Sequence, residues 1–246
     1  KMENNILVEL TDGQKKIYVA ELEKVKKEID DILKQGGEKK AAFLILPLLT
    51  KLRQICIDPK IVYPEYTGGS NKIDSLIYVI KENIANGNKI LMFTSFKDAM
   101  NDVIGHLEKE DIPYYTISGE VSSKERMRRV DEFNERKDSA VFLIMLKAGG
   151  TGLNLASAST VIHLDLWWNP QAENQATDRA HRIGQTKTVE VIHIVAKGTI
   201  EEKILELQKK KLKLSEKLID GEIRDKDILS SLSEKDIREL LSNENK

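Results

Sequence analysis

The strongest constraint on this chain is a change of hydrophobic period near residue 70. From there to about residue 200, short apolar runs alternate with amphipathic stretches. Residues 89–94 (KILMFT), 113–117, 140–145, 160–164 and 189–195 read as strands. Helical spacing marks 71–85, 96–110, 122–136 and 170–182 between them. Ser122 with Glu125 has capping-box spacing. Pro170 suits a first helical position, because its missing N–H would have no partner there. Strands that alternate with helices predict an α/β fold, with a mainly parallel sheet covered on both faces. Such sheets bind ligands at the carboxyl ends of their strands.

The two ends read differently. The first forty residues read as helix, with Thr11 as cap and Gln14 three residues on. Ile17, Leu22, Val25, Ile29, Ile32 and Leu33 recur at helical spacing, and Gly36-Gly37 ends the run. A second helix over about 41–56 carries Leu44, Leu48, Leu52 and Ile55 on one stripe. Pro59, Pro64 and Gly68-Gly69 then break regular structure. Beyond residue 199, Thr199 and Glu202 have the spacing of another capping box, and Ile204, Leu207, Leu212, Leu214 and Leu218 form an apolar face. The organisation expected is a helical lead-in over 1–70, an α/β lobe over 71–200, and a helical brace and tail over 201–246.

Composition narrows the function classes. No apolar run reaches about 18 residues, so no membrane partner is expected. The single cysteine, Cys56, lies on an apolar helix, which excludes a disulfide framework and a cysteine metal site. His106, His163, His181 and His193 lack metal-ligand spacing, so no metal site is expected. With no charged-then-apolar leader, the chain is expected inside the cell. It opens on Lys1, as a piece of a longer protein would. A formal net charge of −1 argues against a nucleic-acid coat protein, but not against a local basic track.

Four segments carry chemistry. KAGGTGLNL, residues 147–155, follows an apolar strand, and its glycines permit close backbone approach to a phosphate or simply make a connecting loop. No GxxxxGK[ST] phosphate loop occurs, so the chain by itself is not expected to hydrolyse a nucleotide. QATDRAHRIGQ, residues 175–185, sets Arg179 and Arg182 three apart, on one face of a helix. Two guanidiniums there would suit a triphosphate, or pair with Asp178 and Glu173 as a solvated face. Trp167 and Trp168 precede Asn169-Pro170; Trp167 is expected in the core, while Trp168 could pack or stack on a base. Lys124, Arg126, Arg128 and Arg129 crowd one short helix, as a phosphate-backbone patch or a solvated face.

In order along the chain, these segments resemble the C-terminal lobe of the Swi/Snf-type ATP-dependent DNA translocases, within the superfamily-two helicase fold. KILMFTSF (89–96) resembles motif IV, residues 142–170 motif V and its extension, and residues 175–204 motif VI and the strand after it. TISGEVSSKERMRRVDEFN (116–134) resembles the family's x-G-x-x-S-x-x-x-R run, and LRQICIDP (52–59) its LRxxCxHP helix. The resemblance implies a RecA-like three-layer α/β/α lobe with helical extensions at both ends. It implies a second, N-terminal RecA-like lobe as partner, which binds ATP with Mg2+ through its own Walker motifs. Arg179 and Arg182 would reach that ATP, with Arg182 as the arginine finger and Gln175 coupling the lobes. Gly150 and Gly152 would hold the motif V loop, with Asn154 near the ribose. Trp168, Lys147, Ser95 and Gly119 would face DNA, with Lys124 and Arg126 in the basic patch. Met145 departs from the family's Ser or Thr and loses a hydroxyl for phosphate; Asp58 replaces its usual His.

The function expected is therefore half of a motor that moves on duplex DNA through its phosphate backbone, as a monomer. Its place would be the cytoplasm and nucleoid of a bacterium, or the nucleus of a eukaryote. The alternatives are a non-catalytic RecA-like scaffold, and a lobe of an RNA helicase. The DRAHRIGQ string and the Trp-Asn-Pro turn argue against the RNA helicase.

Overall fold

A computed structural model of the chain describes residues 1–35, 38–146, 148, 153–180, 187–215 and 233–242. Two compact units divide it. The first comprises residues 1–8, 72–165 and 171–195, and holds the sheet. Its strands are β1 (Met2–Val8), β2 (Ile90–Thr94), β3 (Tyr114–Ile117), β4 (Val141–Met145), β5 (Thr160–His163) and β6 (Glu190–Ala196), in the order β1-β6-β5-β2-β4-β3. β2 pairs in parallel with β4 and β5, β3 with β4, and β5 with β6. In register, Ile90 lies between Val141 and Thr160. All five residues of β2 are buried, which explains why its sequence is apolar throughout instead of alternating. The expected RecA-like α/β architecture is therefore the observed one.

The helices of this unit are α3 (Asn71–Ala85), α4 (Lys97–Lys109), α5 (Ser123–Glu135) and α6 (Pro170–Thr177). Aromatic packing ties α5 to the sheet. Phe133 lies 5.1 Å from Phe142 between ring centroids, and Tyr115 meets Phe133 edge-on at 5.8 Å. Lys89, only 8% exposed, donates to the Phe133 and Asn134 carbonyls at 2.6 and 3.0 Å. Its ammonium thus satisfies carbonyls at the end of α5, where a cation is favoured. Burial pulls its pKa below the usual lysine value.

Residues 2–8 form a strand, not the start of a helix. MENNILV alternates poorly and is mostly exposed, so its periodicity carries no strand signal. β6 supplies the pairing instead, with the Met2 N–H donating to the Val189 carbonyl at 3.0 Å and the Asn4 amide to Glu190 at 2.8 Å.

The second unit comprises residues 9–71, 166–170 and 196–246. It contains α1 (Asp12–Lys34), α2 (Glu38–Ile57), a 3-10 turn over Pro59–Ile61, α7 (Ile200–Ser215) and α8 (Glu234–Leu240). Thr11 caps α1 as expected, accepting from the Gln14 N–H at 3.1 Å. The buried Gln14 amide donates to the Ile55 and Cys56 carbonyls, so the start of α1 meets the end of α2. Tyr18 on α1 accepts the Ile200 N–H at 2.7 Å and ties in α7. The stripe that α2 buries is Ile45, Leu49, Leu52 and Ile55, whereas Leu44 is 44% exposed. The run AFLILPLL is apolar nearly all round, so periodicity could not choose the face and packing chose it. At α7, Thr199 accepts from the Glu201 N–H while the Glu202 carboxylate takes the Gly198 N–H, a cap one residue offset from the expected box. Among the described residues, no helix is long and apolar enough to cross a membrane.

Candidate nucleotide and nucleic-acid site

Because the sheet is parallel, β2, β3, β4 and β5 all end at one edge. A buried carboxylate organises that edge. Asp165, just past β5, accepts from the Thr94 hydroxyl at 2.7 Å and from the Ser95 N–H at 2.9 Å. The Thr94 hydroxyl accepts the Phe96 N–H at 3.2 Å, and the Thr94 carbonyl accepts the Leu146 N–H at 2.9 Å. One acid thereby fixes the turn that leads into α4, and Ser95 with it. The Ser95 hydroxyl is buried, with no hydrogen-bond partner among the described residues. Sequence reasoning did not find Asp165. The available signal was an acid directly after a buried parallel strand, at the ligand-binding edge.

Gly119 joins this edge beyond β3, where it is exposed. The Lys97–Glu120 ion pair, 2.8 Å long, bridges the start of α4 to the Gly119 turn. Arg126 turns back on the same turn, donating to the Val121, Ser118 and Gly119 carbonyls at 2.8, 3.2 and 3.5 Å. Its neighbours on α5 are also engaged. Arg128 pairs with Glu125 and Glu132, and Arg129 with Glu125 and the Thr116 carbonyl. Glu125 spends its carboxylate on these arginines and does not reach back to Ser122; only the Ser122 half of the capping box forms, at 3.3 Å. Of the four basic residues on this helix, Lys124 is the exposed one without a polar contact among the described residues.

Asn154 and Arg179 lie elsewhere. The Leu155 N–H donates to the Arg179 carbonyl at 3.0 Å, and the Asn134 amide to the Asn154 carbonyl at 2.8 Å. Asn134 in turn accepts from Lys89, the residue that precedes β2, whereas Ser95 follows it. The structure thus brings Asn154 and Arg179 together at one end of β2, and Ser95 and Gly119 at the other. Gln175 is exposed on α6. That helix ends at Thr177, not at about residue 182, and Arg179 sits in a following turn, its N–H donating to the Ala176 carbonyl at 3.2 Å and the Ala180 N–H to the Thr177 carbonyl at 3.0 Å. Lys147, Gly150, Gly152 and Arg182 lie outside the described residues.

Beneath α6, His163 is stacked between Phe93 and His193, with centroids 5.4 and 5.0 Å away. It shares a 3.2 Å hydrogen bond with the Thr177 hydroxyl. Glu173 reaches His193 at 3.5 Å. Burial, reinforced by His193 and Lys1, holds the His163 pKa well below the ordinary histidine value.

Within the second unit, Trp167 and Trp168 are 7% and 3% exposed. Trp167 is in the core, as expected. Trp168 faces the Arg53 guanidinium, whose carbon lies 5.4 Å from the ring centre, and its own Nε1–H is buried without a hydrogen-bond partner among the described residues. Arg53 also donates to the Leu166 carbonyl at 2.6 Å, while Gln208 donates to the Trp167 carbonyl. Neither residue was singled out from sequence, although Arg53 is the arginine of LRQICIDP.

Residues 71–184 match the helicase conserved C-terminal domain. An uncharacterized ATP-dependent helicase of Mycoplasma pneumoniae is 38% identical over 240 residues, which is 98% of this chain and 22% of that protein. The chain spans about a fifth to a quarter of the length of the curated relatives it matches first. The Sulfolobus solfataricus SWI2/SNF2 ATPase C-terminal domain is 31% identical, covers 97% of both chains and superposes with a TM-score of 0.76. The ATPase core of the same organism, solved in complex with dsDNA, is 33% identical over 99% of this chain and 50% of that one, with a TM-score of 0.76. A whole-length match at this identity, on the same parallel sheet and with the motifs in the same order, leads to one conclusion: the chain belongs to the C-terminal domains of the SWI2/SNF2-type ATPases.

Proposed function

We propose that this domain is the second half of an ATP-driven motor that translocates on duplex DNA and remodels nucleoprotein complexes. The observation that carries the reading is the alignment of nearly the whole chain with half of an ATPase core solved on dsDNA. The other half is the place of an N-terminal RecA-like lobe, which binds ATP and Mg2+. This chain's share is positive charge and backbone. Arg182 is the arginine finger and Arg179 its companion, neutralising charge that develops on the γ-phosphate. Gln175 couples the lobes, and Asn154 with the Gly150 and Gly152 loop lies on the nucleotide side.

The DNA grip uses the carboxyl edge. The Ser95 hydroxyl, without a partner among the described residues, offers a donor that a phosphate oxygen would satisfy. Gly119 allows the backbone to approach, Lys124 and Lys147 supply charge, and Arg126 holds the Gly119 turn in place. Trp168 reaches DNA when its turn opens. Nucleotide binding closes the lobes, hydrolysis reopens them, and differential grip moves the enzyme along the duplex. One copy beside its N-terminal lobe suffices. The cellular place follows the DNA: nucleoid in a bacterium, nucleus in a eukaryote.

The test is DNA-stimulated ATPase of the two-lobe protein. Arg182→Ala is expected to lower the rate about a hundredfold, or about 2.7 kcal/mol of barrier. An unchanged rate would remove Arg182 from the mechanism. DNA affinity is expected to fall steeply as salt rises, because phosphate contacts release counterions.

A further inference from the structure

Arg53 is 3% exposed, on the last turns of α2, and it is aimed at one short stretch of chain. Its guanidinium lies over both indoles of the Trp167-Trp168 pair, 6.0 and 5.4 Å from the ring centres. Its Nη2 donates to the Leu166 carbonyl at 2.6 Å. Gln208 on α7 donates to the next carbonyl, that of Trp167. The turn over 166–170 therefore groups with the helical unit, although it joins β5 to α6 in the sequence. A planar cation that both stacks on indoles and bonds a carbonyl fixes a turn more narrowly than either contact would.

We propose that Arg53 is a positioning residue: it sets the conformation of the Trp167-Trp168 turn, and so couples DNA binding to ATP turnover. The coupling rests on the translocase reading above. The clamp itself rests only on the contacts of Arg53.

Trp167 and Trp168 are the only tryptophans of the chain, so its intrinsic fluorescence reports this turn directly. Arg53→Gln removes the charge and the fork. In the 246-residue chain it is expected to red-shift the emission and raise quenching by acrylamide, with little change in far-UV circular dichroism. In the two-lobe protein it is expected to lower DNA-stimulated ATPase about tenfold while basal ATPase and the KM for ATP hold, since a misplaced turn costs orientation and not nucleotide binding. Arg53→Lys, which keeps the charge over the rings but loses the planar fork, is expected to restore part of the stimulation, and it carries the test should Arg53→Gln fail to fold. Parallel loss of basal and stimulated rates in a folded variant would show a merely structural role and overturn the coupling. Wild-type stimulation in both variants would also overturn it. An unchanged tryptophan signal would overturn the clamp. Absence of DNA stimulation in the wild-type protein would instead overturn the translocase reading, with the clamp still decided by fluorescence.

Discussion

His163 closes β5 with its ring flat between Phe93 and His193 and its Nε2 on the Thr177 hydroxyl. In sequence it is one of four histidines without metal spacing, and nothing marks it out. In the fold its pKa is held well below the ordinary value, chiefly by burial. The consequence has a definite sign. The unfolded imidazole titrates near pH 6.5, so below that pH the unfolded chain takes up a proton that the folded chain refuses. The contribution to stability is complete above about pH 6.5 and declines as pH falls. His163→Leu is therefore expected to show a smaller drop in urea midpoint between about pH 7.5 and about pH 5.5 than the wild type. An equal drop would mean that His163 does not carry this dependence. Asp165, two residues on, teaches the same lesson. Its place directly after a strand was legible, but its role in holding Thr94 and Ser95 depended on β2 lying beside β5.

At the scale of elements, α5 separates what packing contributes from what charge contributes. Val130 and Phe133 are its buried residues; most of the rest of its surface is charged and laced with ion pairs. Phe133→Ala is expected to cost about 3–5 kcal/mol, read as a shift of the urea midpoint, because the ring fills the space between Tyr115, Phe142 and Lys89. Glu125 is held at a pKa of about 2, first by Arg128 and then by Arg129, yet it lies at the surface, so its pairs are screened by water. A depressed carboxylate stabilises above its unfolded pKa and loses that contribution as pH falls towards the folded value. The small difference between Glu125→Gln and wild type is thus expected at neutral pH and to fade between about pH 4.5 and about pH 2; thermal melts at the two ends would reveal it. A difference that grew on acidification would contradict the assignment. Helix existence was legible along this stretch from caps and spacing, while helix faces and ends were less so. α2 is apolar on most sides, so Leu52 and Ile55 of its expected stripe are buried, while Ile45 and Leu49 take the places expected of Leu44 and Leu48. α6 stopped at Thr177, because the turn that follows is tied through Leu155 to the Arg179 carbonyl, a contact remote in sequence.

For the whole molecule, the decisive prediction is negative. The chain carries no phosphate loop, so purified by itself it is expected to release no phosphate from ATP above background, with or without DNA. Measurable turnover by the chain by itself would break the division of labour proposed between two lobes. A net charge of −1 does not exclude a local basic site: on α5, Arg128 and Arg129 are spent on Glu125 and Glu132, whereas Lys124 is left exposed at the edge that holds Gly119. The amino-acid sequence by itself determined the fold class, because period and caps are local properties that any chain with these residues expresses. It also determined the family, because motif order along the chain is one-dimensional. Tertiary structure decided which candidates meet. It placed Asn154 with Arg179 and Ser95 with Gly119, turned Arg126 onto backbone carbonyls, made an edge strand of a polar N-terminus, and set Arg53 over two tryptophans more than a hundred residues away. Those pairings depend on which strands lie side by side and which helix end closes on which turn, and long-range packing, not local propensity, fixes both.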